Sequence, residues 1–118
     1  MKEMSNPLGN IYVSQRAIAT IAAQSAIGCY GVVGLAAKNL ADEVAQTLVK
    51  DPTKGVELHF DGRSIGIDLY LIIEYGMRIT TVASSVVDTV RYQIEKATSL
   101  PVKYVNVHVR GLRISDTD

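Results

Sequence analysis

The chain has 118 residues, 47% of them hydrophobic, and its 12 Lys plus Arg balance 12 Asp plus Glu. That length fits one domain, residues 1–118, able to bury about two-thirds of its unfolded surface. Zero net charge argues against nucleic acid or an anionic membrane as the main partner, because both select basic proteins, and it is permissive for self-association.

The lone cysteine, Cys29, allows no internal disulfide and favours a reducing compartment. The sequence carries no apolar core of signal-peptide length and no run approaching a membrane span. A cytoplasmic domain without direct membrane insertion is the expectation.

Residues 1–8 are polar and read as a frayed end, and 115–118 as a polar tail. Ile11 and Val13 alternate across Tyr12 in a short strand that starts near Gly9. Ser14 suits an N-cap, since its hydroxyl can accept from a free amide of the first helical turn. The helix that follows shows the stripe Ala17, Ile18, Ile21, Ala22 and Ser25, and Gly28 is expected to end it in the left-handed conformation that glycine tolerates. Gly31-Val32-Val33-Gly34-Leu35 reads as a strand or an extended link. Asn39 caps a second amphipathic helix to about Val49, with Leu40, Val44 and Leu48 every four residues, and Asp51 to Gly55 is a breaker cluster. That second helix reads as core cover or as a partner-facing element.

Val56, Leu58 and Phe60 alternate with Glu57, His59 and Asp61 in a strand. Asp61-Gly62 signals a tight turn, and a two-residue turn sets Leu58 opposite Ile65 and Val56 opposite Ile67; a longer loop is the alternative. From Ser64 to Glu74 the residues Ile65, Ile67, Leu69, Leu71 and Ile73 occupy every second position, the period of a strand with one buried face. At Gly76 the period changes. Ile79, Val82, Ala83, Val86, Val90, Ile94 and Ala97 recur at three and four, the signature of an amphipathic helix. Such a helix of about twenty residues spans roughly 30 Å and the ten-residue strand roughly 33 Å, so one can cover the other. Ser99-Leu100-Pro101 stops the helix, and Val102 to Arg110 forms a last strand, parallel to the central one through the helical crossover. The predicted fold class is α+β: a two-layer single domain, a mixed sheet with a β-hairpin, and a long helix packed on one face.

Chemistry is sparse. Cys29 with His59 or His108 would make a thiol–imidazole pair, but Cys29 lies in an apolar stretch and reads as a small buried residue. The two histidines, with Asp68 or Glu57, could supply metal ligands on the open face of the sheet, yet no close-spaced ligand motif accompanies them. No metal or other cofactor is therefore assigned. Gly31-Val32-Val33-Gly34 matches the bare Gly-x-x-Gly of KH domains, but its middle residues are valines where a phosphate-binding loop carries polar or basic ones. A small KH-like nucleic-acid-binding domain is the alternative function from a different class.

The face of the sheet opposite the core draws the most interest. Glu57, His59, Asp68, Tyr70, Ile72, Glu74, Tyr104, Asn106, His108 and Arg110 all fall on that register. Tyrosine and arginine among balanced charges are what protein interfaces enrich, and a solvated sheet face is the plain alternative. On this reading Tyr70 and His108 contribute little to stability, whereas Leu69 and Val86 are core.

Five blocks carry a family resemblance. They are Gly9-Asn-Ile-Tyr-Val-Ser14, Ala17-Ile-Ala-Thr-Ile-Ala-Ala23, Cys29-Tyr-Gly-Val-Val-Gly-Leu-Ala-Ala-Lys38, Ile67-Asp-Leu-Tyr-Leu-Ile-Ile-Glu-Tyr-Gly76 and Val105-Asn-Val-His-Val-Arg-Gly111. In that order the chain resembles the alkaline shock protein family, in its YloU-like branch from Gram-positive bacteria. The resemblance implies a small, non-catalytic cytoplasmic protein linked to cell-envelope and alkaline stress, with no catalytic residues to carry over. It also implies protein partners: further copies of the chain, a membrane-anchored family member, and a fatty acid kinase of the dihydroxyacetone-kinase type.

Overall fold

A computed structural model describes residues 3–5, 12–37 and 52–114. The predicted second helix, Asn39 to Val49, lies outside the described residues, as do Ile11 and the tail from 115. The elements in order are β1 (Glu3–Ser5), β2 (Tyr12–Ser14), α1 (Gln15–Ile27), β3 (Val32–Leu35), a 3₁₀ turn (Pro52–Gly55), β4 (Val56–Phe60), β5 (Ile65–Glu74), α2 (Ile79–Thr98) and β6 (Val102–Arg113). Residues 3–5 were expected to be irregular; instead Glu3 pairs with Ser14 and Ser5 with Tyr12 in a small antiparallel ribbon.

The alternating strand is the spine of the sheet. β6 runs parallel to β5 along its whole length, from Ile65↔Val102 to Glu74↔Arg113. The other edge of β5 is shared end to end by two antiparallel strands, β4 on residues 65–69 and β3 on residues 71–73. β3 and β4 meet where Gly55 passes the backbone of β3. A Cβ there would lie 2.7 Å from the Ala36 carbonyl oxygen and 2.7 Å from Leu35 Cβ, so only glycine fits without displacing backbone. The sheet is mixed and the class α+β, as the periodicities predict.

The core lies on one face of β5. Ile65, Ile67, Leu69, Leu71 and Ile73 are all 0% exposed, and each such side chain contributes roughly 1.5–3 kcal/mol by leaving water. Against them α2 buries Val82, Val86, Val90 and Ile94, a fourfold repeat that continues to Thr98. Thr98 is tolerated there because its hydroxyl donates to the Ile94 carbonyl and accepts from the Leu100 amide. Ser99 then turns into the left-handed region at φ 60° and ends the helix. Arg91 and Glu95 fasten α2 to the start of β6: the guanidinium donates to the Val102 carbonyl at 2.9 Å, and the Glu95 carboxylate accepts from the Val102 amide at 2.9 Å.

α1 completes the helical layer beside α2. Its Ser14 cap forms as expected, accepting from the Arg16 and Ala17 amides at 3.1 and 3.3 Å. Its buried face is Ile18, Ala19, Ala22, Ala23 and Ala26, rotated from the predicted stripe, with Ala17 exposed and Ile21 half-buried. Alanines all round the helix make its periodicity weak, and packing against both α2 and the sheet selects the face. Gly28 does cap α1, but in the right-handed conformation at φ −73°. The left-handed residue is Gly31 at φ 93°, in the turn that sends the chain into β3.

The hairpin also departs from expectation. Phe60 pairs with Ile65, so the loop holds four residues and Leu58 faces Ile67. The Asp61 carboxylate builds that loop by accepting from the Arg63 amide at 3.0 Å and the Ser64 amide at 2.8 Å, an Asx turn in place of the two-residue turn. A slip of two residues leaves every side chain on its predicted face.

Candidate functional site

On the face of β5 away from the helices, strand pairing brings together side chains distant in sequence. Glu57 sits opposite Asp68, and His59 opposite Gly66; from the other edge Tyr104 meets Gly66, Asn106 meets Asp68 and His108 meets Tyr70. A bulge in β6 between the partners of Leu71 and Ile72 leaves Arg110 as an extra residue, and its guanidinium lies over the Tyr70 ring at 4.8 Å. The Tyr70 and His108 rings stack at 4.6 Å.

Asp68 is the hub. One carboxylate oxygen, Oδ1, lies 2.9 Å from His108 Nε2, and the other, Oδ2, lies 3.1 Å from His59 Nε2. Burial pushes its pKa up, but hydrogen bonds from His108 and Asn106, the charge of His108 and the bond to His59 outweigh this and hold the carboxyl below its usual range. Glu57 has two neighbours of its own: the Tyr70 hydroxyl donates to Oε1 at 3.3 Å, while Oε2 lies 4.0 Å from His59 Nε2. Burial first, then the negative charges of Glu57 and Asp68, raise the Tyr70 phenol above its ordinary 10.0. The Tyr104 phenol is raised by desolvation and the same two carboxylates. The Tyr104 ring covers Gly66, where a Cβ would come within 2.3 Å of it. A shallow cleft bordered by His59, Phe60, Asp61, Lys103 and Tyr104 opens beside this glycine.

The structure thus unites eight of the nine predicted interface residues. Glu74 shares their face but sits at the far end of β5, beyond Ile72. One expectation needs correction. Tyr70 is only 9% exposed and Ile72 only 1%, so this face is wet near Asp68 and dry further along, not open throughout. Cys29, read as a small buried residue, is half-buried just after the Gly28 cap of α1, and its thiol donates to the Ser25 carbonyl at 3.4 Å, with no pairing to either histidine. The Gly31–Gly34 segment enters β3, with Gly34 buried and paired to Ile72, and so makes no phosphate-binding loop.

A second feature escaped the sequence reading. At the end of the sheet where β5 leaves for α2, Ile27, Tyr30, Tyr75, Ile79, Leu112 and Ile114 are exposed, Tyr30 by 84% and Ile114 by 75%. Backbone bonds from Glu74 to Gly31 and from Tyr75 to Arg113, each 2.8 Å, bring their segments together. Among the described residues only Tyr92 is an exposed large hydrophobic away from this end. The available signal was Leu112 and Ile114, which resume the apolar alternation of Val105, Val107 and Val109 after a slip of one residue at the bulge.

Known proteins resemble this chain in sequence or in fold. The model of the alkaline shock protein 23 family, which has a cell envelope-related function, matches residues 3–114. The uncharacterized YloU of Bacillus subtilis (strain 168) is 36% identical over 116 residues, 97% of each chain. YqhY of the same organism is 30% identical over 107 residues, 90% of this chain and 78% of that one. A Streptococcus pyogenes homolog of the stress response regulator gls24 is 28% identical over 100 residues, 84% of this chain but 54% of its own length. None of these relatives bears an enzyme's name. Among solved structures, the copper form of MamM CTD superposes with a TM-score of 0.53 at 13% identity, over 88% of this chain and 92% of that one, a likeness of fold alone. The match along nearly the whole chain establishes that this protein belongs to the alkaline shock protein family, in company with YloU.

Proposed function

We propose that the chain is a non-enzymatic assembly protein of the cell-envelope stress response, working through contacts with further copies of itself and with protein partners. Family membership supports the envelope role. The observation that carries the assembly role is the exposed apolar end, where Tyr30, Tyr75, Leu112 and Ile114 meet on three adjoining segments. Exposed apolar groups concentrated at one place mark interaction sites, whereas scattered ones do not. The polar face beside it satisfies most of its own hydrogen bonds and needs no protein to cover it.

Among the described residues no helix is long and apolar enough to cross a membrane. A cytoplasmic protein recruited to the membrane by an anchored family member fits that, and a fatty acid kinase of the dihydroxyacetone-kinase type is the other partner in this reading. Sedimentation velocity over a range of protein concentrations tests the central part. The wild-type chain is expected to sediment faster as concentration rises, and a Tyr75→Ser, Ile114→Ser double variant to remain monomeric. A wild-type chain that stays monomeric throughout, and binds neither proposed partner, would overturn the proposal.

A further inference from the structure

The hydrogen-bonded network around Asp68 also gathers three side chains of metal-ligating type at one point. Glu57, His59 and Asp68 present ligand atoms that all lie within 4.8 Å of one another. Each carboxylate has one oxygen held by a neighbour: Glu57 Oε1 by the Tyr70 hydroxyl and Asp68 Oδ1 by His108. The remaining oxygens, Glu57 Oε2 and Asp68 Oδ2, both lie near His59 Nε2, at 4.0 and 3.1 Å. Metal sites are built this way, with an outer partner fixing each carboxylate so that its other oxygen aims at the ion.

We propose that Glu57, His59 and Asp68 form a binding site for a divalent transition-metal ion, with Tyr70 and His108 as positioning residues. One imidazole nitrogen and two carboxylate oxygens are a donor set that suits zinc. Ligand atoms around four-coordinate zinc stand roughly 3.3–3.5 Å apart, given metal–ligand distances near 2.0–2.2 Å. His59 and Asp68, at 3.1 Å, are within a few tenths of an ångström of that spacing, and the wider separations, up to 4.8 Å, close by side-chain movements of about an ångström. The two carboxylates balance the charge of a divalent ion. His59 is exposed, and the cleft beside it gives entry from solvent. Three protein ligands leave a coordination position for water or for an outside group. This site is independent of the proposed assembly role.

The test is equilibrium dialysis of untagged, chelator-stripped protein against zinc chloride, with thermal unfolding in parallel. One ion per chain is expected to bind saturably and to raise the unfolding temperature. His59→Ala and Asp68→Asn should abolish both effects, and His108→Ala should weaken binding by about 10–100-fold, the usual loss for an outer partner. Because His59 is exposed, its variant keeps the fold, which circular dichroism checks. As a second readout, cobalt should give a visible ligand-field band with wild type and none with His59→Ala. Failure of the wild-type chain to bind zinc saturably, or equal binding by His59→Ala, would overturn the proposal.

Discussion

On β5 the side chains of Ile65, Ile67, Leu69, Leu71 and Ile73 enter the helical layer, and each is fully buried. Gly66, Asp68, Tyr70 and Ile72 point the other way and change character at every step: a bare backbone under an aromatic ring, a carboxylate between two imidazoles, a buried phenol and a dry isoleucine. The first face is uniform, so any of its members does the same work by leaving water. The second is specific, because each position depends on a named partner from β4 or β6. The fold follows from the uniform face, and the metal-site proposal from the specific one.

The uniform face is most sensitive at Leu69. Leu69→Ala should cost about 2–5 kcal/mol in urea denaturation, the usual range for a buried leucine whose cavity only partly collapses; a loss below about 1 kcal/mol would contradict its place in the core. Tyr70 belongs to the specific face but is buried there. Tyr70→Ala should lose about 2–3 kcal/mol and Tyr70→Phe about 0.5–1.5 kcal/mol, the share of the hydrogen bond to Glu57. Near-identical losses for the two would place its energy in the hydroxyl, not in the stack with His108 and Arg110. Gly66→Ala should cost roughly 1 kcal/mol, because the new methyl moves the Tyr104 ring out over solvent without disturbing the core. Quenching of tyrosine fluorescence by iodide should rise in that variant.

pH probes the same face more gently. The folded pKa of Asp68 is depressed below the ordinary 3.8. Its contribution is therefore complete above the unfolded value and lost as pH falls through the lower folded value. Wild type and Asp68→Asn should converge in stability on the acid limb, below about pH 4. Tyr70 and Tyr104 are shifted the opposite way, above 10.0, so stability should decline as pH rises past 10.0, where the unfolded phenols ionise first. Tyr70→Phe should soften that decline, as read from denaturation midpoints across pH.

Much of the fold was legible because period 2 and period 3.6 are hard to confuse over ten and twenty residues. β5, α2 and both hairpin faces follow from the spacing of Ile, Leu and Val, and the parallel β6 from the helical crossover. Departures arose where a local pattern had two solutions. Asp61-Gly62 suits a two-residue turn or an Asx turn, and only the carboxylate's bonds to Arg63 and Ser64 decide. In α1 the alanines give packing no preferred stripe until α2 is beside them. For the site, parity placed Glu57, His59, Asp68 and His108 on one face, but it could not give their convergence on a single carboxylate. That depends on the registers of β4 and β6 against β5, both long-range quantities. The exposed end was hidden for a similar reason, being assembled from three segments that meet only in the fold.

If the chain assembles through that end, amide chemical shifts report it residue by residue. In ¹⁵N-labelled protein diluted from millimolar to micromolar, the amides of Tyr30, Gly31, Tyr75, Gly76, Leu112 and Ile114 should move together along one binding curve while those of the core face of β5 stay fixed. Shifts confined to the outer face of α2 around Tyr92, or none at any concentration, would contradict it.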